Sequence, residues 1–190
     1  MLRVGVLGVQ GDFEKHMLAL RRAGLAAKDV VEVRLVEHLN KVDRLILPGG
    51  ESTTVGLLLE RYGLGHAIVE RAEAGMPVWG TCMGMILMAR EVAGRPNQYR
   101  LGLLDVTVER NAFGAQVHSF EAPVSVEGFD QRLTGVFIRS PVVSQMGPGV
   151  KALAKLEGKI VAVRQGSLVG TSFHPELTDD TRLHEWFLKL

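Results

Sequence analysis

One cysteine, one histidine and one glutamate have the types and spacing for nucleophilic acyl chemistry. Cys82 is the only cysteine of the chain and lies in Gly80-Thr81-Cys82-Met83-Gly84. A short apolar run, Pro77-Val78-Trp79, enters this segment, and a breaker-free apolar run, Met85 to Ala89, leaves it. The pattern reads as a buried strand turning sharply into a buried helix with the cysteine at the bend. A bend of this kind holds its corner residue at an unfavourable backbone conformation, and it needs neighbours without bulk, which Gly80 and Gly84 supply. The corner side chain then stands beside the first turn of the helix, where unpaired N–H groups and the helix dipole favour an anion. A thiolate nucleophile is the chemistry this position suits.

Such a nucleophile needs a base. His174 ends the apolar strand Leu168–Phe173 and precedes Pro175 and Glu176. Proline keeps the residue before it out of the helical region, so His174 stays extended. Residues i and i+2 of an extended segment point the same way, which puts the imidazole and the Glu176 carboxylate on one side. A carboxylate beside an imidazole fixes its tautomer and supports its positive charge. A metal reading of His174 and Glu176 is disfavoured, because no third ligand with matching spacing is visible. The other histidines fit the role less well. His16 and His66 fall in helical stretches among charged residues and His184 in the polar part of the last helix, so all three read as solvated. His38 lies in a polar loop, and His118 in a loop between strands.

Acyl transfer also needs donors for an oxyanion. One is the N–H of Met83, the residue after the nucleophile. The other must come from a loop at the same sheet edge, and Pro48-Gly49-Gly50-Glu51 is the candidate, since glycine lets a peptide N–H approach a substrate carbonyl. A phosphate-cradling role for Gly49 to Thr54 is weaker, because the loop lacks the Gly-Lys-Ser/Thr ending of a P-loop.

The elements that must position these groups follow from the hydrophobic pattern. Val4–Val9 is a continuous apolar run ending in Gln10-Gly11-Asp12, a buried strand followed by a turn. Phe13, Met17, Leu18 and Leu20 suit an amphipathic helix that Gly24 stops. Val30–Val36 and Arg44–Leu47 read as the second and third strands. Ser52 or Thr53 is expected to cap the helix carrying Val55, Leu57, Leu58, Leu59 and Tyr62, and a further helix runs from Gly65 to Ala74. Strand alternating with helix over the first ~90 residues predicts a parallel sheet covered on both faces. After Gly94, strands are expected at 104–109, 122–126, 135–138, 150–156, 159–163 and 168–173. The turn pairs Glu157-Gly158 and Gln165-Gly166 make the last three a meander, and Thr181–Leu190 is a closing helix. The expected fold is α/β: one three-layer domain over residues 1–190, with a mixed, mostly parallel sheet and helices on both faces.

Bulk properties exclude several classes. The 22 basic and 21 acidic residues nearly cancel and are interleaved, which argues against nucleic acid or an anionic membrane as partner. A single cysteine excludes an intrachain disulfide and a multi-cysteine metal site, and fits a reducing cytoplasm. Apolar stretches are far short of the ~20 residues that span a bilayer, and the N-terminus has no signal-peptide pattern.

Gly80-Thr81-Cys82-Met83-Gly84 with His174-Pro175-Glu176 resembles the class I, triad-type glutamine amidotransferases, whose fold is flavodoxin-like. More narrowly, the chain resembles the glutaminase subunits of pyridoxal 5′-phosphate synthases almost from end to end. The matching segments are Gly5–Gly11, Leu47-Pro48-Gly49-Gly50-Glu51-Ser52-Thr53-Thr54, Val108–Gly114, Gly135-Val136-Phe137-Ile138-Arg139 and Ser172–Leu177. The resemblance implies hydrolysis of L-glutamine to L-glutamate and ammonia through a cysteinyl thioester. It also implies a hetero-oligomer with a synthase subunit that takes the ammonia, without cofactor or metal. Carried onto matching positions, it makes Cys82 the nucleophile, His174 the acid–base and Glu176 its orienting partner. Gly49, Gly50, Glu51, Arg110, Ile138 and Arg139 would contact glutamine, and Gly50 and Met83 would supply the oxyanion donors. Met83 stands where relatives more often have alanine, and Ala115 where an arginine often follows the Phe-Gly pair. Two other readings stay open at this level: the glutaminase of a different synthase, and a catalytically silent module that uses Cys82 as a redox-sensing thiol.

Overall fold

Strand and helix alternate from Val4 to Met88 because four-residue apolar runs, buried on both faces, are separated by segments with one polar face. The computed structural model describes residues 1–114 and 118–190; Ala115 lies outside the described residues. In chain order the first half comprises β1 (Val4–Leu7), α1 (Phe13–Arg22), β2 (Val30–Val33), α2 (Val36–Leu39), β3 (Arg44–Leu47), α3 (Ser52–Arg61), α4 (Leu64–Glu73), β4 (Val78–Thr81) and α5 (Met83–Met88). The second half is mostly strand: β5 (Ala89–Val92), β6 (Leu104–Glu109), β7 (Ser119–Val124), β8 (Leu133–Ile138), β9 (Val142–Met146), β10 (Lys151–Leu156), β11 (Lys159–Gln165) and β12 (Leu168–Thr171). Helix α6 (Arg182–Phe187) follows.

The main sheet runs β2-β1-β3-β4-β12-β11-β9-β6-β5, with β10 also paired to β11. From β2 to β12 every pairing is parallel, and β12-β11, β11-β9 and β9-β6 are antiparallel. The sheet is therefore mixed, as expected, with a flavodoxin-like parallel half and an antiparallel addition. Alternate side chains of each strand enter opposite layers. Leu45 and Leu47 of β3 pack with Leu59, Ile68 and Met85 from α3, α4 and α5, whereas Ile46 packs with Leu20, Trp79 and Phe187 toward α1 and α6. The β7–β8 hairpin covers this second layer through Val124, Leu133 and Phe137. The meander over 151–171 forms as predicted, with Glu157 and Gly158 at φ 50° and 77°, the double positive-φ geometry of a two-residue hairpin turn.

Several local expectations are corrected. The second strand stops at Val33, and Val36–Leu39 is a helical turn, so His38 sits in a helix rather than a loop. The helix after Cys82 ends at Met88 although nothing in its apolar run breaks it, because Ala89 to Val92 pair in parallel with β6. The strand expected at 122–126 is Ser119–Val124, with Val126 joined to Ala154 only by an isolated bridge. Strand β9 was not anticipated. Neither Ser52 nor Thr53 caps α3: the N-cap is Glu51, whose carboxylate accepts from the N–H of Thr53 (3.1 Å) and Thr54 (2.7 Å). Among the described residues no helix is long and apolar enough to cross a membrane.

Candidate functional site

Cys82 and His174 are remote in sequence but follow adjacent parallel strands. Thr81, the last residue of β4, is in register with Thr171, the last of β12, so both chains leave the sheet at the same carboxyl edge, where open α/β sheets place their sites. The N–H of Cys82 donates to the carbonyl of Thr171 at 2.7 Å, and the N–H of His174 donates to that of Val136 at 2.8 Å. Each of these two residues is thus pinned by its own backbone.

Local sequence explains the bend. Cys82 has φ 49° and ψ −106°, a conformation that a side chain makes costly. A β-carbon at Gly80 would collide with the backbone of Gly84, and one at Gly84 with the carbonyl of Leu47. Both glycines are therefore required by close approach of β4, α5 and β3, as the sequence predicts. Met83 opens α5, so its N–H has no partner within the helix; among the described residues no other group accepts it.

The thiol, the imidazole and the glycine loop line one cavity of about 320 Å3, shared with Asp12, Gly50, Glu51, Ser52, Met83, Ile86, Arg110, Asn111, Ile138 and Arg139. That is the lower end of ligand-sized clefts, roughly 300–1,000 Å3. Cys82 is 8% exposed and reaches this cavity, with Sγ 3.8 Å from the carbonyl of Ile138. Gly49 lies behind the imidazole, where a β-carbon would collide with Cε1 of His174 and come 3.1 Å from Nδ1.

His174 and Glu176 form a buried pair, Nδ1 donating to Oε1 at 2.7 Å. Burial works against the imidazolium, but the neighbouring Cys82 and the hydrogen bond and charge of Glu176 outweigh it, raising His174 to about 10. Burial also works against the Glu176 carboxylate, and the neighbouring imidazoles of His16 and His174 more than offset it, holding Glu176 below the usual carboxylate range. Glu51 is held at about 2: partial burial opposes ionisation, and the N–H groups of Thr54 and Thr53 overcome it.

The site residues expected from sequence all converge here. Cys82, Gly50, Glu51, Met83, Arg110, Ile138, Arg139 and His174 line the cavity, Gly49 touches the imidazole and Glu176 lies behind it. Arg110 is braced: its Nη1 donates to Oε1 of Gln98 (3.2 Å), whose amide donates to Ser52 Oγ (2.9 Å). Arg139 and Asn111 hold φ 46° and 52° at the rim.

Three residues were misjudged or missed. Asp12 follows β1 at the same sheet edge, and the carboxyl-end rule would have pointed to it. Ligand atoms of Asp12, His174 and Glu176 lie within 4.8 Å of one another, so the third potential ligand not visible in sequence exists in space. An ion there would have to compete with the His174–Glu176 hydrogen bond. His16 and His184, expected to be solvated, are both fully buried. Their helices turn these positions under Glu176, and a helix that is polar on most sides hides one inward polar residue from any periodicity reading. His66 is exposed, as expected, with an 80% accessible side chain.

Comparison with known proteins agrees with this geometry. A family model described as the SNO glutamine amidotransferase family matches residues 6–190. The chain is 54% identical to the pyridoxal 5′-phosphate synthase subunit PdxT of Thermus thermophilus, covering 98% of this chain and 96% of that one. It is 49% identical to the subunit of the same name from Pyrococcus furiosus, covering 100% and 98%. A crystal structure described as a glutamine amidotransferase superposes with a TM-score of 0.93 at 51% identity, covering 98% and 97% of the two chains. PurLQS from Thermotoga maritima superposes with a TM-score of 0.75 at 18% identity, covering 99% and 98%, a likeness of fold alone. With nearly its whole length matched in sequence, and with a bend, an imidazole and a carboxylate brought to one sheet edge, the chain belongs to the SNO glutamine amidotransferase family.

Proposed function

We propose that the chain is the glutaminase subunit of a pyridoxal 5′-phosphate synthase, hydrolysing L-glutamine to L-glutamate and ammonia. Residues 1–190 would act as one glutaminase domain in the cytoplasm. One observation carries the reading: Cys82 at a positive-φ bend shares a cavity with His174, whose second ring nitrogen is held by Glu176 at 2.7 Å. The same cavity carries two guanidinium groups, Arg110 and Arg139, and two carboxylates, Asp12 and Glu51. That mixture suits a zwitterionic amino acid better than an anion or an apolar ligand.

The chemistry follows from the placement. The Cys82 thiolate attacks the side-chain amide carbon of glutamine, and the N–H groups of Met83 and Gly50 receive the developing oxyanion. The His174 imidazolium gives its proton to the departing nitrogen, releasing ammonia and leaving a thioester. His174, now neutral, takes a proton from water as that water attacks, and collapse of the second oxyanion frees glutamate and the thiolate. Glu176 holds the imidazole in one tautomer and supports its charge in both halves. Arg110, Ile138 and Arg139, with Gly49, Gly50 and Glu51, are read as the walls that hold glutamine. Neither metal nor cofactor enters any step. The relatives bear the name of a synthase subunit, and the released ammonia is read as passing to a synthase partner in a hetero-oligomer.

Cys82→Ala tests the reading. Ammonia release from glutamine, measured with the synthase partner present, should fall to background while the thermal transition persists. Residual activity near wild type would end it. Labelling of Cys82 by a glutamine-analogue electrophile, blocked by glutamine, separates a glutaminase from a redox-sensing thiol, which reacts with generic reagents regardless of glutamine.

A further inference from the structure

The carboxylate of Glu176 has two oxygens, and the triad uses one. Oε1 accepts from His174. Oε2 is buried with its side chain wholly shielded from solvent, and no hydrogen-bond donor is aligned on it among the described residues. The group that faces it is His16, on α1, with Nε2 3.2 Å from Oε2 and 3.1 Å from Oγ1 of Thr81. On the other side of the ring, Nδ1 of His16 lies 3.0 Å from Nε2 of His184, on α6. The far nitrogen of His184, Nδ1, is buried with no partner among the described residues.

These contacts set the protons. Burial, opposed only in part by Glu176, lowers His16, and burial above all lowers His184, to about 3, which favours the neutral form of both rings. A bare ring nitrogen without a partner costs less than a buried N–H without one. His184 therefore carries its proton on Nε2 and donates it to Nδ1 of His16. That leaves His16 protonated on Nε2, the nitrogen turned toward Thr81 and the free oxygen of Glu176. Trp79 closes the cage, stacking edge-on against both rings at 5.9 and 5.0 Å between centroids.

We propose that His16, with its tautomer set by His184, is a positioning residue for catalysis: its polar Nε2–H edge, which reaches Thr81 Oγ1, stands 3.2 Å from the spare oxygen of Glu176 and attracts it, so that the other oxygen stays on Nδ1 of His174. Without it, that buried oxygen would face no polar hydrogen at all, and the carboxylate would turn about its own bond, taking the imidazole with it. The inference rests on the reading of Cys82, His174 and Glu176 as the reacting set.

The test compares His16→Leu, which fills the site without a donor, with His16→Gln, which restores an N–H near the position of Nε2. Ammonia release is measured with the synthase partner present and Cys82→Ala is run in parallel. His16→Leu should lower kcat by about tenfold or more with KM for glutamine changed less than about twofold. Neutralising the orienting carboxylate of a triad costs ~10⁴-fold, and His16 acts one contact further out. His16→Gln should recover most of the loss. A folded His16→Leu with kcat within twofold of wild type overturns the inference, as does an equal loss in both variants, which would mark a packing role. Should His16→Leu not fold, His184→Phe, which keeps a ring and removes both nitrogens, should lower kcat at constant KM; wild-type kcat there overturns it equally. If Cys82→Ala stays active, the reacting set itself is wrong and the inference goes with it. An inactive Cys82→Ala beside a fully active His16→Leu removes the inference alone.

Discussion

Gly49 lies against the imidazole of His174 so closely that a β-carbon there would collide with the ring at Cε1. The glycine loop and the imidazole are thus packed as one unit, and the loop's second glycine, Gly50, lines the cavity. Gly49→Ala should displace the imidazole rather than the buried backbone beneath it. A displacement near 1 Å costs on the order of 10²-fold in rate. Steady-state ammonia release should show that loss with the melting temperature little changed; an unaffected kcat would mean the ring shifts without consequence.

The backbone at Cys82 is expected to store strain. At φ 49° and ψ −106° it lies outside the regions open to residues with a β-carbon, a condition worth about 1–3 kcal/mol. Glycine escapes that penalty and loses roughly 0.5–1 kcal/mol to its greater freedom when unfolded. Cys82→Gly should therefore be more stable than Cys82→Ala by about 1 kcal/mol, with both inactive. Denaturant unfolding of the pair measures it, and equal midpoints would show the bend to be unstrained.

Glu51 caps α3 and lines the cavity together. Glu51→Ala should cost about 1 kcal/mol, the usual value of a lost N-cap, and raise KM for glutamine. The folded-state value near 2 lies below the unfolded value of 4.5. The cap's contribution is accordingly present above pH 4.5 and lost as pH falls through about 2. The difference in unfolding free energy between wild type and Glu51→Ala should hold constant from pH 6 to 8 and shrink below pH 4.

His174 predicts the opposite pH window. Its folded value of about 10 exceeds the unfolded 6.5, so the folded state binds the proton more tightly. The stability this contributes is complete below pH 6.5 and disappears as pH rises through about 10. His174→Gln lacks the contribution at every pH. Unfolding midpoints of the two proteins should therefore converge between pH 7 and 10, and parallel curves across that range would contradict a raised His174.

Much of the site was legible in the chain because its determinants are local. A bend flanked by small residues needs Gly80 and Gly84 within four positions of each other. The His-Pro-Glu segment was expected to be extended; Pro175–Leu177 is instead a short 3-10 turn with His174 at its N-cap, and it is this turn that brings the carboxylate to Nδ1 of the imidazole at 2.7 Å. The parallel half of the sheet followed from apolar runs alternating with amphipathic ones. Glu51 was expected at the cavity, yet its capping role was not, because a glutamate is a less usual N-cap than the Ser52 and Thr53 that follow it.

What tertiary structure decided lies where two distant segments compete for one residue. The apolar run after Cys82 has no breaker, and it stops being helix at Met88 only because Ala89 to Val92 find a parallel partner in β6, a pairing invisible to local propensity. His16 and His184 look like residues on the polar face of amphipathic helices, yet α1 and α6 converge and bury both. Sequence alone thus picked out the groups proposed to react and the bend that presents Cys82. Only folding decided what lies behind them, because the partner of a buried polar group is chosen by three-dimensional packing, and packing leaves no period in the sequence to read.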